Sequence, residues 1–357
     1  MADIVLFGAT GYTGRLTAEV LHRRGADFAI AGRDPEKLKT LADQLGSPEV
    51  RVADSSDVTS VRDAVAGSKV LITCVGPFLK YGRAAVEAAI AEGVHYVDST
   101  GEGLFIDEMI DRFDRPARDA GIALAPACGF DESPGDLAIS LACEGLAEPE
   151  VTVTYAVPST PSQGTLRSIP AIITSTGPFI EDGARRWLRT GERDRWSPLP
   201  DPVGPKRAVS FPLALLRLAP LHQEMTAFGT YMTVDNLQWA GLRFGFPAVK
   251  AIFSGPGSRL LDRAIAKLPE GPDERKRKAR WTILVEARSR SGWRNVVVKG
   301  SDVYGLTAET LSLAAERMAS RDNQEAGIIA PVQAMGVQEL KSRLEDFGVT
   351  IETYGSV

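Results

Sequence analysis

The stretch Ile4-Val5-Leu6-Phe7-Gly8-Ala9-Thr10-Gly11-Tyr12-Thr13-Gly14 decides how the rest of the chain is read. Four apolar residues with strand character run into three glycines spaced three apart, and a helix-period segment follows over 15–24. Glycines at such a turn let the chain reverse sharply, let a diphosphate approach the backbone and let the helix pack on the strand. The N-terminal N–H groups of the helix then face the anion. The spacing G-x-x-G-x-x-G departs from G-x-G-x-x-G, so an ordinary tight strand-to-helix turn is the competing reading. Its place on the first strand and helix favours dinucleotide binding.

Further β-rich runs occur at 28–31, 50–52, 70–74, 96–97 and 122–125, separated by helix-period segments that stop at Gly25, Gly46, Gly67, Gly93 and Gly121. Alternation at this spacing predicts an α/β fold with a parallel, Rossmann-type sheet covered by helices on both faces. Asp34, Pro35 and Gly46 mark the cap, first turn and end of the second helix. Beyond residue 130 the alternation stops. A strand at 151–157, a hairpin joining 281–287 to 295–299 through Ser289-Arg290-Ser291-Gly292, and surface loops such as 195–207 predict a second α/β domain with a mixed or antiparallel sheet. Amphipathic helices are expected over 307–318 and 337–347. The expected division is a nucleotide domain over 1–130, a substrate or dimerisation domain over 131–303, and C-terminal helices over 304–357 returning to the first.

Composition narrows the function classes. The 357 residues are 44% hydrophobic and 24% charged, which excludes a disordered or collagen-like chain. The net charge of -5 conceals an asymmetry: residues 1–150 hold 14 basic against 25 acidic side chains, and the remainder hold 27 against 21. An acidic pI near 5.5 argues against general nucleic-acid binding. Three cysteines and three histidines without C-x-x-C or similar spacing point to a reducing, cytoplasmic setting without structural zinc. No apolar stretch of about 20 residues predicts a membrane span, and no basic leader precedes the first strand.

The site residues follow from sheet topology. Where an NAD-preferring site places an acidic residue after the second strand, the chain has Ala31-Gly32-Arg33. Arg33 can pair with a 2'-phosphate and stack on adenine, with Lys37 a second phosphate contact, so NADP(H) is the expected cofactor. Asp34 beside it is a competing partner for Arg33. Asp54 can accept from the adenine amino group or lie as a loop aspartate. Gly8, Thr10, Gly11, Tyr12, Thr13 and Gly14 form the diphosphate turn, and Cys74, Val75, Gly76, Pro77 and Phe78 lie at the carboxyl edge of the fourth strand, beside the expected nicotinamide ribose. Cys74 reads equally well as a small buried apolar residue.

Five ordered motifs carry a resemblance: the Gly8 to Gly14 turn, Ala31-Gly32-Arg33, Val75-Gly76-Pro77-Phe78, His95-Tyr96-Val97-Asp98-Ser99-Thr100-Gly101-Glu102, and Cys128-Gly129-Phe130-Asp131-Glu132-Ser133-Pro134-Gly135-Asp136. Together they resemble the saccharopine dehydrogenase-like oxidoreductases, most closely the branch of the trans-acting enoyl reductases. Gly164-Thr165-Leu166-Arg167-Ser168, 269–280 and Tyr304-Gly305-Leu306-Thr307-Ala308 extend the likeness over most of the chain. The resemblance implies a two-domain enzyme in which NADPH supplies hydride to the β-carbon of an α,β-unsaturated thioester. The chain has Glu132-Ser133-Pro134-Gly135 where that branch tends towards Ser-Ile-Pro-Ser, a departure on the substrate side.

An enolate that develops in such a reaction needs a hydrogen-bond donor, and its α-carbon needs a proton. Tyr81 and Asp131 are the catalytic candidates. Tyr81 competes with a packing role at a helix start, and Asp131 requires burial to lift it well above about 3.9. Asp136 reads as a helix cap and His95 as structural. Cys128 lacks the histidine partner of a nucleophile. No G-x-S-x-G, H-E-x-x-H or Walker motif occurs. The leading function is therefore reduction of an enoyl C=C bond; the alternatives are imine reduction of the saccharopine type and a non-catalytic NADP-binding protein. Arg167 and Arg243 would serve a multiply carboxylated imine, whereas the apolar stretches 211–216 and 244–249 suit an acyl chain. The basic run 275–280 is the expected docking face for an acidic acyl carrier protein or an anionic lipid surface, with a solvated charge run as the competing reading. A homodimer is a further expectation.

Overall fold

The computed structural model describes residues 2–157, 161–244, 264–265, 267–320 and 325–356. The chain divides into two compact units, Met1–Ser133 with Val303–Arg343, and Pro134–Asp302 with Leu344–Val357.

In the first unit β1 (Ile4–Phe7), β2 (Phe28–Gly32), β3 (Glu49–Val52), β4 (Val70–Thr73), β5 (His95–Asp98) and β6 (Ala123–Ala125) form a parallel sheet in the order β3-β2-β1-β4-β5-β6. The short strand Gly327–Ile328 adds in parallel beyond β6. Order reverses between β1 and β4, where Ile4 to Phe7 pair with both Phe28 to Ala31 and Val70 to Thr73. At that reversal the carboxyl ends of an open α/β sheet leave a crevice. The strands β1, β2 and β4 are buried along their whole length, which is why their sequences are continuous apolar runs rather than alternating ones.

The connecting helices are α1 (Tyr12–Arg23), α2 (Pro35–Gln44), α3 (Val58–Val65), α4 (Phe78–Glu92), α5 (Gly103–Arg112) and α6 (Asp114–Asp119). The five glycines expected to stop helices all adopt φ between 67 and 74°. Asp34 caps α2 by accepting from Lys37 N–H, with Pro35 at the first turn. The C-terminal helix Val303–Ser320 corrects the sequence reading. It is buried on nearly every face rather than along one stripe, because it packs against α1 and the strands β1, β4 and β5. Its buried Glu309 and half-buried Glu316 are held by Arg343, at 3.2 and 3.0 Å.

The described residues of the second unit form nine strands. Its labelled members are β7 (Glu150–Ala156), β8 (Thr176–Glu181), β9 (Ala184–Arg189), β10 (Asp194–Ser197), β11 (Lys206–Ser210), β12 (Ala227–Thr233), β13 (Arg280–Ser289) and β14 (Gly292–Ser301). Among the described residues only β7 and β12 pair in parallel there, so the sheet is mixed. The hairpin expected around residue 290 is present as β13 and β14. The segment 195–207, read as loop, instead carries most of β10 and the start of β11; its four prolines lie between the strands, and Arg207 stacks on its cross-strand partner Trp196 at 5.7 Å. A final strand, Thr350–Ser356, pairs antiparallel with β14. The last residues therefore belong with the second sheet rather than with helices of the first unit, since β14 would otherwise present an unpaired edge.

Candidate active site

The glycine turn occupies the N-terminus of α1. Gly8 has φ 85°, and a Cβ there would stand 2.7 Å from Val75 Cγ2 and 3.2 Å from the Cys74 carbonyl carbon. A Cβ on Gly14 would strike the Gly8 carbonyl oxygen and lie 2.9 Å from Ala9 Cα. Both glycines are thus demanded by packing of β1, α1 and the β4 exit. Gly11 differs: it is exposed, its φ of -76° suits any residue, and a Cβ would meet only Gly8 O at 3.4 Å. Nothing among the described residues requires glycine there, whereas a diphosphate laid against the backbone would. No side chain caps α1 and no acidic residue lies in its first turn, while Asp34 and Asp57 cap α2 and α3. An uncapped helix N-terminus of this kind favours an anion. Thr10, Tyr12 and Thr13 are half-buried around it, with the Tyr12 ring edge-on to Tyr304 at 5.1 Å.

Arg33 follows β2 on the surface and makes no hydrogen bond or ion pair among the described residues. The competing partner Asp34 is occupied in capping α2. Lys37 is exposed one helical turn on. Asp54 is exposed, and its carboxylate accepts from Ser56 N–H at 2.9 Å and Ser56 Oγ–H at 2.8 Å; these bonds, together with the Arg33 charge, hold it below the usual carboxylate range. A free guanidinium with a lysine behind it fits a 2'-phosphate; a ribose 2'-hydroxyl would instead call for an acceptor.

Gly8 and the segment Cys74 to Phe78 meet at the carboxyl ends of β1 and β4. Cys74 N–H donates to Phe7 O at 2.9 Å, and burial pushes its thiol up to about 12, against an opposing hydrogen bond from Thr17. A neutral thiol of this kind is no nucleophile. Gly76 is exposed, Pro77 half-buried, and Phe78 opens α4 with its ring 6.0 Å from Phe105. Tyr81 lies half-buried in the first turn of α4, with Lys80 Nζ 4.7 Å from its ring centre.

The residues that sequence reasoning missed lie at the end of β5 and just after it. Asp98 is fully buried. Its Oδ1 accepts from Thr100 N–H and Ala127 N–H, both at 2.8 Å, and its Oδ2 from Tyr96 O–H at 2.7 Å. Desolvation raises this carboxyl to about 6 in spite of those bonds. Glu102, 3% exposed, accepts from Phe78 N–H at 2.9 Å and Leu79 N–H at 3.1 Å and so closes the N-terminus of α4. Both acids stood in a quoted motif, but their spacing gave no sign that they would face backbone amides.

Asp131 is exposed by area, yet protein crowds it and desolvation raises its carboxyl to about 6. His95 accepts from Ala123 N–H at 3.0 Å, and burial lowers its pKa, in keeping with a structural role. Cys128 is buried against the Ala125 carbonyl. Asp136, expected to cap a helix, is buried in the second unit with one oxygen 2.7 Å from His222 Nε2.

Arg167 contacts Gln163 at 3.3 Å and Arg243 the Glu192 carbonyl at 2.6 Å, so each has a local partner. Residues 212–216 are core, which removes them as an acyl-chain lining; of 244–249, only the exposed Phe244 is within the described residues. In the basic run, Arg277 is paired with Asp302 and Lys276 approaches Asp273 at 3.8 Å, leaving Arg275, Lys278 and Arg280 exposed. Among the described residues no group of three His, Cys, Asp or Glu could hold a metal, and no helix is long and apolar enough to cross a membrane.

Residues 4–124 match the family described as saccharopine dehydrogenase NADP binding domain. A Mycobacterium tuberculosis protein named "putative trans-acting enoyl reductase" is 30% identical, the alignment covering 98% of this chain and 97% of that one. A trans-acting enoyl reductase of Mycobacterium ulcerans is 40% identical over 142 residues, 38% of this chain and 34% of that one. Among solved structures, the L-Glu-forming saccharopine dehydrogenase of Saccharomyces cerevisiae aligns over 100% of both chains with a TM-score of 0.64 at 13% identity, a likeness of fold.

Proposed function

The chain belongs to the saccharopine dehydrogenase-like oxidoreductases, in the branch with the trans-acting enoyl reductases, and on that premise we propose that it reduces the C=C bond of an enoyl thioester or related lipid or polyketide precursor. It is an NADP(H)-dependent oxidoreductase. The observation that carries the choice of chemistry is the relationship to an enoyl reductase-named protein along 98% of the chain, which reaches past the nucleotide domain into the substrate side.

When bound, NADPH supplies hydride to the β-carbon. The chain's own residues do the rest. Gly11 and the uncapped α1 would hold the diphosphate, Arg33 and Lys37 the 2'-phosphate, and Asp54 the adenine. Gly76 and Pro77 would let the nicotinamide ribose approach the backbone. Tyr81 in α4 presents a phenolic donor to the enolate oxygen, and Asp131, with its carboxyl raised, delivers the proton to the α-carbon. An acid with a raised pKa works only while protonated, so turnover falls as pH rises through about 6. An acidic acyl carrier presenting the substrate would meet the exposed Arg275, Lys278 and Arg280.

Imine reduction has less support, because Arg167 and Arg243 are engaged locally. The test is NADPH consumption with a panel of enoyl thioesters and of amine plus keto-acid pairs. Consumption with the thioesters is expected. Consumption only with the amine and keto-acid pairs contradicts the proposal, and tight NADPH binding without turnover of any member points to a non-catalytic protein.

A further inference from the structure

Two loops of the first unit leave the carboxyl edge of the sheet on either side of β5 in the strand order. One is the Cys74 to Phe78 segment after β4; the other runs from Ala127 to Asp131 after β6. Between them comes the exit of β5, where Asp98, Thr100 and Glu102 tie both down. Asp98 Oδ1 holds Ala127 N–H at 2.8 Å, and the Asp98 carbonyl holds Cys128 N–H at 2.7 Å. The same Oδ1 holds Thr100 N–H at 2.8 Å, Thr100 Oγ1 accepts from Glu102 N–H at 3.1 Å, and Glu102 reaches Phe78 and Leu79. The far loop is pinned once more, where Phe130 N–H donates to Thr307 Oγ1 at 3.0 Å.

Two features argue for placement over bulk stability. Asp98, Thr100 and Glu102 are each 3% exposed or less, so two carboxylates are buried at a desolvation cost and spent on backbone amides of neighbouring loops. Ala127 is held at φ 60°, a left-handed conformation that is strained for a residue with a Cβ and is kept by the two bonds to Asp98 at its own and the next amide.

We propose that Asp98, Thr100 and Glu102 are positioning residues: the buried chain Ala127, Asp98, Thr100, Glu102, Phe78 fixes the spacing between the cofactor-side loop and the loop that carries Asp131. The inference rests on the reading of Asp131 as proton donor. Displacing reacting groups by about 1 Å costs on the order of 100-fold in rate, so a chain of this kind has a catalytic consequence without touching substrate.

Thr100→Val breaks the middle link while keeping shape and charge. It is expected to lower kcat about tenfold, with a smaller change in KM, and to speed amide exchange in 76–79 and 127–130 above the rest of the first unit. Thr100→Ser restores the acceptor and is expected to recover most of both effects. In an Asp131→Asn background, Thr100→Val should add little, because the two act on one step. Unchanged kcat and exchange in Thr100→Val, a uniform rise in exchange across the unit, or a Ser variant as impaired as Val would each overturn the proposal. Should the wild-type protein leave enoyl thioesters untouched, the functional reading fails, while the exchange comparison still decides whether the chain couples the two loops.

Discussion

The two units solve different problems with sheets of different kinds. The first unit's strands all run parallel, so every carboxyl end faces one edge, and the groups that would hold a dinucleotide come from consecutive crossings: Gly8 to Gly14 after β1, Arg33 after β2, Asp54 after β3 and Cys74 to Phe78 after β4. The second unit's sheet is mixed, its strand ends alternate in direction, and its arginines are largely committed to neighbours such as Glu286, Asp194 and Asp302. A parallel sheet gathers loops at one edge and so fixes cofactor chemistry in a small set of positions. A mixed sheet offers faces and hairpins, and its chemistry depends on which side chains are left uncommitted. The acidic excess of residues 1–150 sharpens the point: against that background field, cofactor phosphates would depend on the bare helix end and on Arg33.

The largest effect that separates the units is expected at Gly14. Its Cβ would meet backbone, so Gly14→Ala should cost about 3 kcal/mol or more and abolish NADPH binding, whereas Gly164→Ala in the second unit meets only Ser162 Oγ at 3.6 Å and should be neutral or slightly stabilising. Thermal unfolding of both variants checks this, and equal damage would break the contrast. Gly11→Ala comes next. With room for a Cβ in the protein itself, melting should stay within about 0.5 kcal/mol of wild type while NADPH affinity falls by about 2 kcal/mol, as titration calorimetry would register. For Arg33→Ala a loss of about 1.5 kcal/mol in NADPH binding is expected, with NADH affinity unaltered.

The smallest effect lies in pH dependence. Burial alone would lower His222, but the Asp136 carboxylate and the hydrogen bond to it outweigh that and raise it above 6.5. A raised folded-state pKa gives stability that is complete below the unfolded value and is lost as pH rises through the folded one, so the second unit should weaken on the alkaline side of 6.5. Asp98, raised by desolvation to about 6 from 3.8, follows the same sign in a more acidic window, so its contribution in the first unit is lost between about 3.8 and 6. Exchange rates per unit across pH, with His222→Gln removing the alkaline slope in the second unit alone, would show the two windows apart.

Much of the first unit was legible in the sequence because its determinants are local. Continuous apolar runs bounded by glycines place β1 to β6 within a residue or two, and Asp34-Pro35 places the cap of α2. The helix Val303–Ser320 was misjudged as amphipathic because its burial on all faces comes from partners distant in sequence. The same cause hid β10 and β11: their pairing depends on cross-strand contacts such as Trp196 with Arg207, while the local composition signals a loop. Asp98 and Glu102 were read only as parts of a motif, since the amides they hold on other loops lie 23 to 29 residues away. Conversely, Arg33 was singled out from the absence of an acid after β2, a local signal, and its side chain is free of the competing Asp34.

The central claim is hydride delivery to an enoyl carbon, and isotope transfer tests it most directly. With NADPH deuterated at its transferable position and an enoyl thioester as acceptor, the product should carry one deuterium on the carbon β to the thioester carbonyl. Deuterium found instead on a carbon bearing nitrogen, from an amine and keto-acid pair, or no transfer to any enoyl thioester, would contradict the account.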